Sequence, residues 1–162
     1  MNLPDGYTLR AAVADDADVI AAQRAQMFVA MGELDEAAAQ AQVELWAGWL
    51  RAAIPAGDYA GFVVFQGTEP AGGVGVMFHP KFPTAHDPAT RRAYVLNMSV
   101  APQHRRRGLA AALMDAALKD IRARGLRSVS LHAAPMGRAL YERLGFTEGT
   151  NPHLNLTLDG AT

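Results

Sequence analysis

The sequence predicts a single α/β domain, and three patterns predict it. Apolar residues recur at helical spacing, as in the stripe of Val43, Trp46, Leu50 and Ile54. Short apolar runs with strand character lie between such stripes, and two of them, Tyr59 to Gln66 and Ala71 to Phe78, sit close enough to pair as a hairpin. The third pattern is the stretch from Met98 to Met114. It reads as an apolar strand, a proline stop at Pro102, a basic turn, and a helix that begins near Gly108. With 162 residues, half of them apolar, the chain is long enough for one domain with a real core, spanning residues 1–162 without internal repeats.

Taken in order, Tyr7 to Ala11 is a first strand, and Asp15 or Asp16 caps the helix that follows. That helix carries Val19, Ile20, Gln23 and Met27 on one face and is broken at Met31-Gly32-Glu33. A second helix is predicted from about Leu34 to Ala53, followed by a turn at Pro55-Ala56-Gly57-Asp58. After the hairpin, His79 to Arg92 contains Pro80, Pro83 and Pro88 and reads as a long, stiffened loop. Tyr94 to Val100 is the next strand. Leu109, Leu113, Ala117 and Ile121 form the inner stripe of a helix that Gly125 ends. Ser128 to His132 is predicted as a short buried strand, Met136 to Leu144 as a helix, and Phe146 to Leu158 as one or two closing strands. Trp46 and Trp49 read as core with one edge exposed, and Met27, Phe28 and Met31 read as core. A wall of an acceptor pocket is the sharper alternative for both groups.

Composition narrows the function. The absence of cysteine excludes disulfides, thiolate metal sites and a cysteine nucleophile. His79, His86 and His153 have no ligand-pair spacing, so no metal is predicted. A net charge of −1 offers no global attraction for nucleic acid, and no aromatic platform accompanies the arginine cluster. The segment Met1-Asn2-Leu3-Pro4-Asp5 lacks a basic, apolar leader pattern, and no run is long enough to span a membrane. The expectation is a cytoplasmic protein without nucleic-acid or membrane partners.

The basic turn carries the chemistry. A turn into a helix points backbone N–H groups one way, and the helix dipole adds partial positive charge, so an anionic phosphate is the natural guest. Gly108 lets the backbone approach it closely, while Arg105, Arg106 and Arg107 add charge and forked donors. A Walker loop is absent, and Gly72-Gly73-Val74-Gly75 lacks both the third glycine and the following helix of a dinucleotide fingerprint. His104 reads as a solvated turn residue.

The run Arg105-Arg106-Arg107-Gly108-Leu109-Ala110 resembles the Gln/Arg-x-x-Gly-x-Gly/Ala motif of the GCN5-related N-acetyltransferases. Three more stretches match that family in order. Tyr7 to Ala17 resembles its first strand and helix, Tyr94 to Val100 its fourth strand, and Arg138-Ala139-Leu140-Tyr141-Glu142-Arg143-Leu144-Gly145-Phe146 its Leu-Tyr-x-x-x-Gly-Phe signature. The resemblance implies a mixed, mostly antiparallel sheet with strands four and five splayed, flanked by about four helices. It implies acetyl-coenzyme A as cofactor, with its pyrophosphate on Arg105, Arg106, Arg107, Gly108, Leu109, Ala110 and Ala111. The pantetheine arm would pair with the backbone of Met98, Ser99 and Val100, with an N–H near Met98 supporting the oxyanion.

By the same resemblance Tyr141 is the general acid, since a phenol with a pKa of about 10 is protonated at neutral pH. The plain alternative is a packing residue on Leu144 and Phe146. The sequence departs from the family in two places. Strand four, from Ala93 to Asn97, carries no glutamate to act as base, which leaves His132 as the candidate and Glu33 as its rival. Seven residues before Tyr141 stands Ala134 where the family often has an asparagine. The implied activity is direct acetyl transfer to a primary amine of a small molecule, amino acid or peptide terminus. A non-catalytic acyl-coenzyme A-binding module, or an acyltransferase using a longer acyl chain, stays open. A homodimer through the terminal strands is what the family suggests.

Overall fold

The structure is a computed structural model that describes residues 3–150 and 154–156. The chain divides into two compact units, Met1–His132 and Ala133–Thr162. In the first, β1 (Tyr7–Ala11), α1 (Ala17–Ala30), α2 (Glu36–Ala56), β2 (Tyr59–Gln66), β3 (Glu69–Pro80), β4 (Arg91–Val100), α3 (Leu109–Ala123) and β5 (Val129–Leu131) follow one another. The second contains α4 (Arg138–Arg143). The five strands form one sheet in the order β1-β2-β3-β4-β5. Its first four strands run antiparallel, and β5 joins β4 parallel, as a strand returning through a helix must.

Side-chain alternation gives the sheet two faces. On one, Tyr59, Val63, Met77 and Leu96 pack with Ala17, Ile20 and Ala21 of α1 and Ala47, Leu50 and Ala53 of α2. The opposite residues Val64, Val74, Val76, Ala93 and Val95 are buried, as are Leu109, Leu113, Met114, Ala117 and Ile121 of α3, which contacts β2, β3 and β4. Helix α1, which faces β4 and β3, buries the small residues Ala17, Ala21 and Ala25, and these let it approach the sheet closely.

Close approach also explains the glycines of β3. A Cβ on Gly75 would sit 2.0 Å from the Tyr59 hydroxyl, and one on Gly73 would sit 2.6 Å from Gln23 Oε1. The run that lacks a dinucleotide fingerprint is a notch in the sheet that receives the Tyr59 ring and the Gln23 amide.

Several boundaries differ from expectation. The loop expected over His79 to Arg92 is shorter, because β3 and β4 continue to pair through His79 with Arg92 and Pro80 with Arg91. Lys81 and Asp87, 2.6 Å apart, close the remaining loop. Helix α2 runs past Pro55 to Ala56 and stops at Gly57, which adopts φ +77°; a proline so near the end sacrifices little of the hydrogen-bond ladder. The strand at β5 is not buried, since Val129 and Leu131 are half-buried and Ser130 exposed at the end of the strand order. No closing strand forms among the described residues after Phe146. Leu154 and Leu156 are 85 % and 83 % exposed, so their alternation has no partner ladder to specify a strand, and residues 151–153 and 157–158 lie outside the described residues.

Neither Asp15 nor Asp16 caps α1 through its side chain. Asp16 instead accepts from the Val13 N–H at 2.8 Å and from both Nη atoms of Arg10 at 2.7 and 2.8 Å, tying the end of β1 to the start of α1. The hydrogen bonds from Arg10 hold the buried Asp16 carboxyl below the usual carboxylate range.

Because its folded pKa is depressed, Asp16 contributes stability that is complete above its unfolded pKa of about 3.9 and is lost as pH falls through the lower folded value. Asp16→Asn is expected to cost about 2 kcal/mol near neutral pH. In thermal melts the gap from the parent protein should stay constant from pH 7 to 5 and narrow below about pH 4. Gly75→Ala, which drives a Cβ into Tyr59, is expected to cost about 2 kcal/mol in denaturant unfolding.

Candidate active site

The basic turn is built as a cradle. A 3-10 turn at Pro102–His104 leads to the exposed residues Arg105 to Gly108, and Arg106 and Gly108 take left-handed conformations with φ of +61° and +78°. Two such residues in one short turn fold the chain back so that α3 starts with its amides directed outward. The first α-helical hydrogen bond joins Ala112 N–H to the Gly108 carbonyl at 3.1 Å, leaving the amides of Leu109, Ala110 and Ala111 without an intrahelical acceptor. These groups, the dipole of a 15-residue helix and three arginines suit a diphosphate. Arg105 also braces the turn, donating from Nε to the Val100 carbonyl at 3.1 Å.

His104 is not solvated. It is 3 % exposed, with Nδ1 2.9 Å from the Tyr7 hydroxyl and Nε2 facing the Glu69 carboxylate at 3.5 Å. The histidine anchors the turn beneath the arginines, through partners on β1 and β3 that no local sequence pattern connects.

Strand β4 is irregular where it approaches this turn. Gly75 pairs with Leu96 and Gly73 with Ser99, so Asn97 and Met98 together oppose Val74 in a β-bulge. Asn97 has φ +54°, a conformation asparagine tolerates better than most residues. On its other side β4 pairs with β5 only from Ala93 to Val95. β5 ends there, so from Leu96 to Val100 the backbone of β4 has no β5 partner. Met98, Ser99 and Val100 therefore lie on an open strand edge that runs directly into the cradle.

At the paired end of that edge, Nδ1 of the exposed His132 is 2.5 Å from the Tyr94 hydroxyl. The Tyr94 ring also meets His79, with centroids 6.0 Å apart. The Tyr94 hydroxyl thus orients the His132 ring. Glu33 is exposed just beyond α1.

A second polar group was not singled out by sequence reasoning. Arg24 of α1 donates from Nη1 to Asn97 Oδ1, and Asn97 Nδ2 donates to the Tyr59 hydroxyl at 3.3 Å. The Arg24 guanidinium lies 4.7 Å from the Phe28 ring centroid and 5.0 Å from that of Trp46. Burial pushes Tyr59 up to about 12, so its hydroxyl stays protonated. The available sequence signal was an arginine on a helix flanked at three and four residues by Ile20, Ala21, Met27 and Phe28, with no carboxylate to pair with it. Trp46 is half-buried and Trp49 is 45 % exposed, while Met27 and Phe28 are half-buried and Met31 lies at the surface.

In the second unit, Tyr141 is buried, its ring 5.9 Å from that of Phe146, and it packs closely on Gly137. Burial raises its pKa, so the phenol is neutral at pH 7.

Among the described residues no helix is long and apolar enough to cross a membrane. The model of the acetyltransferase (GNAT) family matches residues 24–146. A GCN5-related N-acetyltransferase from Ralstonia eutropha JMP134 is 32 % identical over 93 % of this chain and 99 % of its own, with a TM-score of 0.82. A predicted acetyltransferase from Clostridium acetobutylicum, solved with acetyl-CoA, has a TM-score of 0.83 at 18 % identity, covering 93 % of this chain and 96 % of its own. An aminoglycoside acetyltransferase from an uncultured soil metagenomic sample reaches 0.71 at 20 % identity, over 94 % and 99 % of the two chains. These two share the fold. No curated relative matches the sequence. The cradle, the β4 edge beyond the end of β5 and the family match agree: this chain belongs to the GNAT family of acetyltransferases.

Proposed function

We propose that this protein is an acetyl-CoA-dependent N-acetyltransferase that passes the acetyl group directly to a primary amine held in the same complex. The observation that carries this reading is the continuity of the open β4 edge with the α3 cradle. A ligand with a diphosphate at one end and a reactive acyl group at the other needs such a run of backbone donors. The amides of Leu109, Ala110 and Ala111 with Arg105, Arg106 and Arg107 would hold the diphosphate, and Met98, Ser99 and Val100 would pair with the arm. When bound, acetyl-CoA supplies an activated thioester acyl group.

The chain's own groups then divide the work. The Met98 N–H, at the bulge, would donate to the acyl oxygen and support negative charge there. His132, oriented by Tyr94, takes the proton from the attacking amine. Tyr141, kept neutral by burial, would supply the proton to the thiolate leaving group, the role the family resemblance gives it. The sequence holds no cysteine, so an acetyl-cysteine intermediate has no residue to form on. The acceptor class is a small amine, an amino acid or a peptide terminus.

Calorimetric titration with acetyl-CoA, paired with a thiol-release assay over a panel of primary amines, tests the reading. Saturable binding with amine-dependent release is expected. Binding without release from any amine would indicate an acyl-CoA-binding module, and tighter binding of longer acyl-CoA species would indicate a different acyl donor. Gly108→Ala forces a Cβ into a left-handed position at a cost of roughly 1–2 kcal/mol. Its acetyl-CoA Kd should rise about tenfold. Tyr141→Phe should lower kcat about a hundredfold while acetyl-CoA affinity stays unchanged.

A further inference from the structure

Arg24 is a cation held in place by groups that do not neutralise it. Its guanidinium lies over Phe28 and Trp46 and spends one donor on the neutral amide oxygen of Asn97. Among the described residues no carboxylate lies within ion-pair distance of it, although the Arg24 side chain is half-buried. Burial lowers the Arg24 pKa, against smaller raising influences from Tyr59, Tyr94 and, least, Glu33. A half-buried guanidinium without a counterion is a costly arrangement, and a planar anion that accepts its remaining forked donors would relieve the cost.

The location matters as much as the charge. Asn97, which fixes Arg24, is the bulge residue directly before Met98. On the reading proposed above, Met98 marks the reacting end of the cofactor, so Arg24 stands beside the place where the acceptor must sit. The phosphates are accounted for at the opposite end, at Arg105 to Ala111. A single guanidinium with aromatic rings beside it suits a monoanion and opposes a polycation.

We propose that Arg24 anchors a carboxylate on the acceptor, so that the amine substrate is an amino acid or a similar small amino-carboxylate. This inference rests on the transferase reading for the position of the acceptor. Arg24 is then a specificity-determining residue, with Asn97 and Tyr59 as its positioning residues.

The test uses the full chain in two arms. In the first, thiol release is measured with common amino acids, their carboxamides and a polycationic aminoglycoside, alongside calorimetric acetyl-CoA binding. The free acids are expected to exceed their carboxamides by about tenfold or more in kcat/KM. Arg24→Gln should erase that preference by raising KM for the acids, with acetyl-CoA affinity unchanged, and Arg24→Lys should retain part of it. In the second arm, tryptophan emission of a Trp49→Phe background is titrated with N-acetylamino acids and with their carboxamides, in the absence of cofactor. A saturable change is expected with the acids alone, and Arg24→Gln should remove it.

Equal or better use of carboxamides or the aminoglycoside, or an acid preference that survives Arg24→Gln, overturns the proposal. Acetyl-CoA binding with no turnover in any set and no carboxylate-dependent emission change overturns it as well. Carboxylate binding through Arg24 without acetyl-CoA binding supports the anchor and sinks the transferase reading instead.

Discussion

The bulge at Asn97 and Met98 is the constraint on which the site depends. A regular β4 would remain paired in phase with β3 and could offer no displaced backbone group beside the open edge. One residue in a left-handed conformation breaks the phase, and the cost is met by a side chain held at both its oxygen and its nitrogen. The partners come from far along the chain: Arg24 from α1 and Tyr59 from β2. Tyr59 in turn reaches Asn97 because β3 is notched at Gly75. Glycines, a buried phenol and a half-buried arginine therefore serve one local distortion of the sheet.

The cradle has the same logic at the other end of the strand. Its donors are main-chain groups, so their direction depends on how the turn is supported rather than on which residues occupy it. His104 supplies the support by packing below the turn and bonding to Tyr7. The three arginines above remain exposed, where charge is least costly to keep and most accessible to an anion.

Much of the framework was legible in the chain. The stripe of Leu109, Leu113, Ala117 and Ile121 marks α3 because a helix repeating every 3.6 residues places all four on one buried face. Gly125 marks the end of α3 because it adopts the left-handed conformation that helix C-termini favour, and Gly108 marks its start. Legibility was poorest where a partner decides the outcome. The alternation of Leu154 and Leu156 looks strand-like, yet a strand exists only when another edge accepts its hydrogen bonds. The extent of β3 and β4 beyond their apolar runs was hidden for the converse reason, since each lengthens the other.

The sequence by itself determined the fold class and the basic turn into α3, because helix periodicity and a turn at a helix start are local properties set by neighbours in the chain, and its motifs carried the resemblance to the family. Only the tertiary structure decided the rest. It fixed the bulge at Asn97, the burial of His104 beneath the turn and the contact of Tyr94 with His132. It also placed an arginine between Phe28, Trp46 and Asn97. Each of these joins residues from separate elements, and the free energy of burying a polar group depends on which partner the folded sheet brings to it.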